Sequence, residues 1–127
     1  MFEIIRSPPY PMPFTESEIA EHADLIEKLF WSRRRPPLHL REKMREGQRL
    51  DGLHIELFFA RPSFFRPGEI IEEDIARIQW VRARKIWKIY WKRADLKWHR
   101  YDPLPEAANL AEALRVIDED AFRCFLG

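Results

Sequence analysis

Between Leu53 and Tyr101 the chain alternates apolar and polar residues, and only a few residues separate most of the alternating runs. Leu53, Ile55, Leu57 and Phe59 interleave with His54, Glu56, Phe58 and Ala60. A period of two is the signature of a strand with one buried face. Arg61-Pro62 closes this run, and residues 61–73, with Pro62, Pro67 and Gly68, read as a connecting loop. Three further strands are predicted over Ile75–Ala83, Ile86–Arg93 and Lys97–Tyr101. Parallel neighbours need a crossover of a dozen or more residues, so these short gaps dictate antiparallel pairing.

The flanks follow a different period. Thr15 and Glu18 have capping-box spacing, and Ile19, Ala23, Ile26 and Phe30 follow at helical intervals, with Leu25 and Leu29 beside them. This predicts a helix over about residues 16–33, stopped by Pro36-Pro37. A second, short helix is predicted over Leu38–Glu46, closed by Gly47. After Pro103 and Pro105, Asn109 can cap a last helix, with Glu112 three residues on and Leu110, Ala113, Leu114 and Ile117 as its apolar stripe. Residues 1–14 carry Pro8, Pro9, Pro11 and Pro13 and read as an extended arm.

One antiparallel sheet with helices on one face buries both kinds of stripe. The expected fold is therefore α+β. Residues 1–127 form a single domain with a four-stranded, mainly meandering antiparallel sheet and the N-terminal and C-terminal helices packed on one face. A length of 127 residues with 46% apolar and 34% charged residues fits one globular domain. No apolar run approaches the roughly 20 residues that span a bilayer, so no membrane partner is expected. The lone Cys124 excludes an intrachain disulfide. The start, Met1 to Pro9, carries Glu3 and reaches prolines before any signal-peptide core can form, so a cytoplasmic location is expected.

The text Trp87-Lys88-Ile89-Tyr90-Trp91-Lys92-Arg93-Ala94-Asp95-Leu96-Lys97-Trp98-His99-Arg100-Tyr101 says most about function. With Arg93–Leu96 as the hairpin loop, Trp91 would pair with Trp98 and Tyr90 with His99. Trp87, Ile89, Trp91 and Trp98 would then face the core. Lys88, Tyr90, Lys92, Lys97, His99 and Tyr101 would form a cationic, aromatic outer face. A one-residue slip in the loop would change the cross-strand partners while leaving the alternation within each strand. Residues 77–100 hold nine Lys or Arg against one acid, although the whole chain has 22 basic and 21 acidic residues. Two readings compete for this face. Tyrosines and histidine among lysines suit single-stranded nucleic acid. Lysines covering rings also make an ordinary solvated sheet surface.

Other constellations carry less. Arg33-Arg34-Arg35, Arg41, Lys43, Arg45 and Arg49 form a second basic stretch, with Glu42 and Glu46 partly neutralising it. Phe58 and Phe59 cannot share one sheet face, so one of them needs cover from the loop around Phe64 and Phe65, from a helix, or from another subunit. Asp95-Leu96-Lys97, with Glu56, has the spacing of some metal-dependent nucleases, but Asp in a tight turn has its own hydrogen-bonding role. His22, His39, His54 and His99 lack metal-ligand spacing, so no metal site and no cofactor are expected. Asp118-Glu119-Asp120 reads as a solvated acidic helix end.

The segments Glu56–Pro62 and Trp87–Tyr101, with the endings Ile117–Asp120 and Cys124–Gly127, resemble a bacterial family of small proteins, the domain of unknown function 3024. The resemblance covers roughly residues 38–127. It implies a bacterial origin and brings no catalytic residues with it. The function expected from the residues is a non-enzymatic binding or interaction module. Its candidate binding residues are Lys88, Tyr90, Lys92, Lys97, His99 and Tyr101, and its candidate partners are single-stranded nucleic acid or a second copy in a homodimer. The alternatives are a small nuclease- or toxin-like enzyme acting on RNA, with His99 as acid or base and Lys97 or Arg100 on phosphate, and a homodimeric assembly protein. Burial on the Trp face predicts about 3–5 kcal/mol for Trp91→Ala and under about 0.5 kcal/mol for Lys92→Ala.

Overall fold

The computed structural model describes residues 12–127, so most of the proline-rich arm lies outside the described residues. The chain enters through helix α1, Glu16–Ile26. Its capping box is complete. The Glu18 amide donates to Thr15 Oγ1 at 3.1 Å, and the Thr15 amide donates to Glu18 Oε1 at 2.9 Å.

The helix then passes into a π-helical turn, Glu27–Trp31, before a last helical stretch, α2, Ser32–Arg34. The wider turn changes the phase of the buried stripe. Ile26, Phe30 and Trp31 are buried, while Leu29, expected inside, is exposed; Ile19, also expected inside, is exposed ahead of the turn. Trp31 is anchored by its indole N–H, which donates to Gln48 Oε1 at 3.0 Å.

The predicted helix over Leu38–Glu46 is corrected. Only Leu38–Leu40 is helical, as one 3₁₀ turn, and strand β1 follows over Arg45–Asp51. Among the described residues the antiparallel sheet therefore has six strands rather than four. The others are β2 (His54–Pro62), β3 (Ile70–Val81), β4 (Ile86–Lys92), β5 (Trp98–Arg100) and the two-residue β6 (Glu106–Ala107). Their order is β1-β2-β3-β4-β5, with β6 also pairing to β4, and every pair is antiparallel. The meander is as expected. Part of the predicted loop over 61–73 instead extends β2 and β3. Ile75 is the extra residue of a bulge, since Leu57 pairs with Ala76 and Phe58 with Asp74.

Helix α3, Leu110–Glu119, starts where predicted, with the Glu112 amide donating to Asn109 Oδ1 at 2.8 Å. Its Leu110, Ala113, Leu114 and Ile117 are all buried. They meet Ile26 and Phe30 from the first helical segment and Ile55, Leu57, Ile78, Trp87 and Ile89 from the sheet in one core. The acidic helix end also differs from the sequence reading. Asp118 is buried and takes Arg34 Nε at 2.7 Å and Arg33 at 3.2 Å, and the Asp120 carboxylate accepts the amides of Phe125 and Leu126. The helices thus cover one face of the sheet, and among the described residues the opposite face carries none.

Candidate functional site

The strand register sets out the helix-free face as rows. One runs Arg49, Glu56, Arg77, Tyr90, Arg100 across β1 to β5. A second runs Asp51, His54, Gln79, Lys88, Glu106. A third holds Gly47, Phe58 and Asp74, with Lys92 opposite Trp98. The β4–β5 pairing is one residue away from that predicted. Trp91 pairs with His99, Tyr90 with Arg100 and Lys92 with Trp98.

That slip turns over the face assignment of β5. Trp98 joins Tyr90 and Lys92 on the open face instead of entering the core. His99 and Tyr101, expected on the open face, belong to the helix side. Tyr101 is only 2% exposed, and its ring centroid lies 4.7 Å from that of Phe125. Burial pushes its phenol up from the ordinary range. Lys97 sits in the hairpin loop, exposed, with its amide donating to Asp95 Oδ1 at 2.9 Å. Of the six candidate residues, Lys88, Tyr90 and Lys92 share the predicted face.

A pocket of about 180 Å³ opens on this face, lined by His54, Arg77, Gln79, Tyr90 and Trp98. Sequence reasoning missed four of these five. His54 was placed on the polar side of its strand, but β3's contribution was invisible without the register. The Tyr90 hydroxyl donates to Gln79 Oε1 at 3.3 Å. Burial, reinforced by the Arg77 charge, holds the His54 imidazole below its ordinary range. Arg77 Nε is buried and makes no hydrogen bond. A buried N–H with no acceptor is costly, and Arg77 must shift toward the pocket before this donor can meet a ligand oxygen.

Much of the predicted positive charge is answered by acids on neighbouring strands. Lys92 Nζ lies 2.6 Å from Asp74 and 5.0 Å over the Trp98 ring. Arg84 forks onto Glu106 at 2.8 and 2.9 Å. Arg82 grips Glu18 and the carbonyls of Met12 and Pro13. The second basic stretch behaves alike. Arg35 pairs with Glu27 and Glu46, Arg41 with Glu46, and Arg49 with Glu72 at 2.7 Å and Glu56 at 3.5 Å. Arg77 and Lys88 have no ion-pair partner within 4 Å among the described residues.

The phenylalanines separate. Phe58 is buried on the open face beneath Arg49, whose guanidinium carbon lies 5.0 Å from the ring centroid. Phe59 turns to Trp31 at 5.8 Å. Phe64 and Phe65 are 85% and 92% exposed and cover neither.

On the other side of the hairpin His99 Nε2 lies 2.8 Å from Asp95 Oδ2, beside Trp91, Arg93, Arg100 and Asp102. The Lys97 amide, with His99 second, holds the Asp95 carboxyl below its ordinary range. Asp95 is therefore occupied as a turn residue. Glu56 of β2, its suggested companion, pairs with Arg49 of β1.

The family model of a domain of unknown function, DUF3024, matches residues 14–127. The chain belongs to that family. No curated protein and no solved structure shows significant similarity to it. The family match begins at Phe14, whose amide donates to the Gly52 carbonyl at 2.8 Å and whose ring packs with His22 and Trp87, so it spans every described helix and all six described strands. Among the described residues, no helix of this family member is long and apolar enough to cross a membrane.

Proposed function

We propose that this protein is a non-enzymatic binding module whose helix-free sheet face takes single-stranded nucleic acid. The observation that carries the reading is the pocket in which Tyr90 and Trp98 stand beside Arg77, whose buried Nε has no acceptor. An open antiparallel sheet face that carries aromatic side chains is a surface on which unpaired bases stack. The neighbouring cations, Arg77 and Lys88, then meet phosphate. A volume of about 180 Å³ admits one base or one phosphate, and falls below the roughly 300 Å³ at which drug-sized ligand pockets begin.

The binding residues in this reading are Arg77, Lys88, Tyr90 and Trp98, with Lys92 holding the indole through its cation–π contact. Titration of labelled single-stranded RNA and DNA at two salt concentrations tests it. Binding should weaken with salt. Trp98→Ala and Tyr90→Ala should each cost about 1–3 kcal/mol with little change in salt slope. Lys88→Ala should flatten the slope by about 1 unit. Absence of binding at low salt, or indifference to all three substitutions, would refute it. Intact RNA after incubation separates this module from the RNA-cleaving alternative built on His99.

A further inference from the structure

Strand β1 is one edge of the sheet, and its sequence Arg45-Glu46-Gly47-Gln48-Arg49-Leu50-Asp51 is complementary to itself. Two of its four charges are satisfied within the subunit. Glu46 is held by Arg35 and Arg41, and Arg49 by Glu72 and Glu56. The other two, Arg45 and Asp51, are exposed and have no ion-pair partner within 4 Å among the described residues. The Arg45 guanidinium donates only to the Arg41 carbonyl, at 3.0 Å.

A twofold axis perpendicular to the sheet fixes which residues can meet. It pairs antiparallel copies of one strand so that residues on the same face stay on the same face, because opposed residues in a ladder project to one side. With the axis through Gln48, Arg45 falls opposite the partner's Asp51, and Asp51 opposite the partner's Arg45. Arg49 falls opposite the partner's Gly47, where the ring of Phe58 fills the space of a side chain and no charge opposes it. Moving the axis by one residue is unfavourable either way. Centred on Gly47 it sets Arg45 against Arg49, and centred on Arg49 it sets that arginine against itself. The register that uses all seven residues is therefore also the one that joins the two charges left over.

We propose that the protein forms a twofold homodimer by antiparallel β1–β1 pairing centred on Gln48. Charges on an edge strand ordinarily oppose such pairing, because they keep the unpaired backbone solvated and meet like against like. In this register they meet unlike charges, and cross-strand opposite pairs stabilise a sheet. The two six-stranded sheets join into one, with both sets of helices on the same side. This inference rests on the β1 edge alone and stands whether or not the open face takes nucleic acid.

Light scattering on the full chain, at rising concentration, reads the mass of the assembly against 15.4 kDa for one copy. The expected result is a concentration-dependent approach to twice that mass. Arg45→Asp and Asp51→Arg should each weaken association about tenfold or more, since each sets two like charges face to face. Mixing the two variants should restore the dimer, because every opposed pair is then unlike, and the double variant should dimerise by itself. Circular dichroism checks that each variant folds, and Arg45→Gln and Asp51→Asn replace any that does not. A monomer throughout, a dimer indifferent to the single substitutions, or mixed variants that stay apart would overturn the proposal.

Discussion

Gly47→Ala is the substitution for which two physical arguments give opposite signs. Gly47 lies inside β1, opposite Phe58 of β2. Glycine in a strand interior costs roughly 0.5–1 kcal/mol relative to alanine through its backbone entropy, so propensity alone expects the alanine to stabilise. Packing expects the reverse. A Cβ built on Gly47 would lie 2.3 Å from Phe58 Cε2, 2.7 Å from Cζ and 2.9 Å from Cδ2. To reach an ordinary contact of 3.4 Å the ring must withdraw by about 1.1 Å. Phe58 is buried against the sheet with Arg49 above it, so the ring can only rotate off its rotamer or rise against the arginine. Overpacking of this kind costs about 1–3 kcal/mol. The net expectation is destabilisation by about 1 kcal/mol after the entropy gain is set against it. Urea denaturation of both proteins measures the difference. The same substitution in a Phe58→Leu background isolates the cause, because removing the ring should make Gly47→Ala neutral or stabilising. Equal or greater stability of Gly47→Ala in the native background would refute the claim that Phe58 occupies the space a side chain would need.

Trp87→Ala should cost about 3–5 kcal/mol, and Trp91→Ala distinctly less, because Trp87 is 4% exposed and stacked among Phe14, His22 and Trp80, whereas Trp91 only borders the core. Denaturant midpoints compare them, and equal costs would reject this ranking. Glu18 has its pKa lowered from 4.5 to about 2, chiefly by the hydrogen bonds from Arg82. Its contribution is therefore full above the unfolded-state value and is lost as pH falls towards 2. Glu18→Gln should destabilise by on the order of 1 kcal/mol at pH 7, with the gap to the native protein closing between about pH 5 and pH 2 in thermal melts.

The α+β class, the antiparallel meander and the caps at Thr15 and Asn109 were legible because each depends on residues a few positions apart. The errors arose where tertiary neighbours decide. Arg41 to Arg49 carries no strong strand pattern, and Gly47 looked like a helix stop. It is a strand residue whose missing side chain leaves room for Phe58, and the identity of a cross-strand neighbour is not written in local sequence. The π-helical turn had the same effect on the first helix. A regular period placed Leu29 inside, and the wider turn brought Trp31 in. Lys92 moved as well. Alternation alone makes it a free surface lysine, but it lies between Asp74 and Trp98, so its removal exposes more than a solvated charge.

The candidate site was half legible for a related reason. Alternation placed Lys88, Tyr90 and Lys92 together on β4 without any knowledge of a partner strand. Placing β5 required the length of the loop, and a loop one residue longer than expected carries every β5 side chain to the opposite face. Trp98 was therefore exchanged for His99 and Tyr101. Composition misled in a parallel way. Nine cations against one acid in residues 77–100 suggested a uniformly basic surface. In an antiparallel sheet, however, the residue that neutralises a charge comes from the adjacent strand, often far away in sequence. Asp74 for Lys92 and Glu106 for Arg84 are such residues, and Glu18 reaches Arg82 from the helical layer. The charge left to act on a ligand is thus not the regional sum but the remainder after cross-strand pairing. On the open face that remainder is concentrated at Arg77 and Lys88, beside the two aromatic rings on which the proposed binding depends.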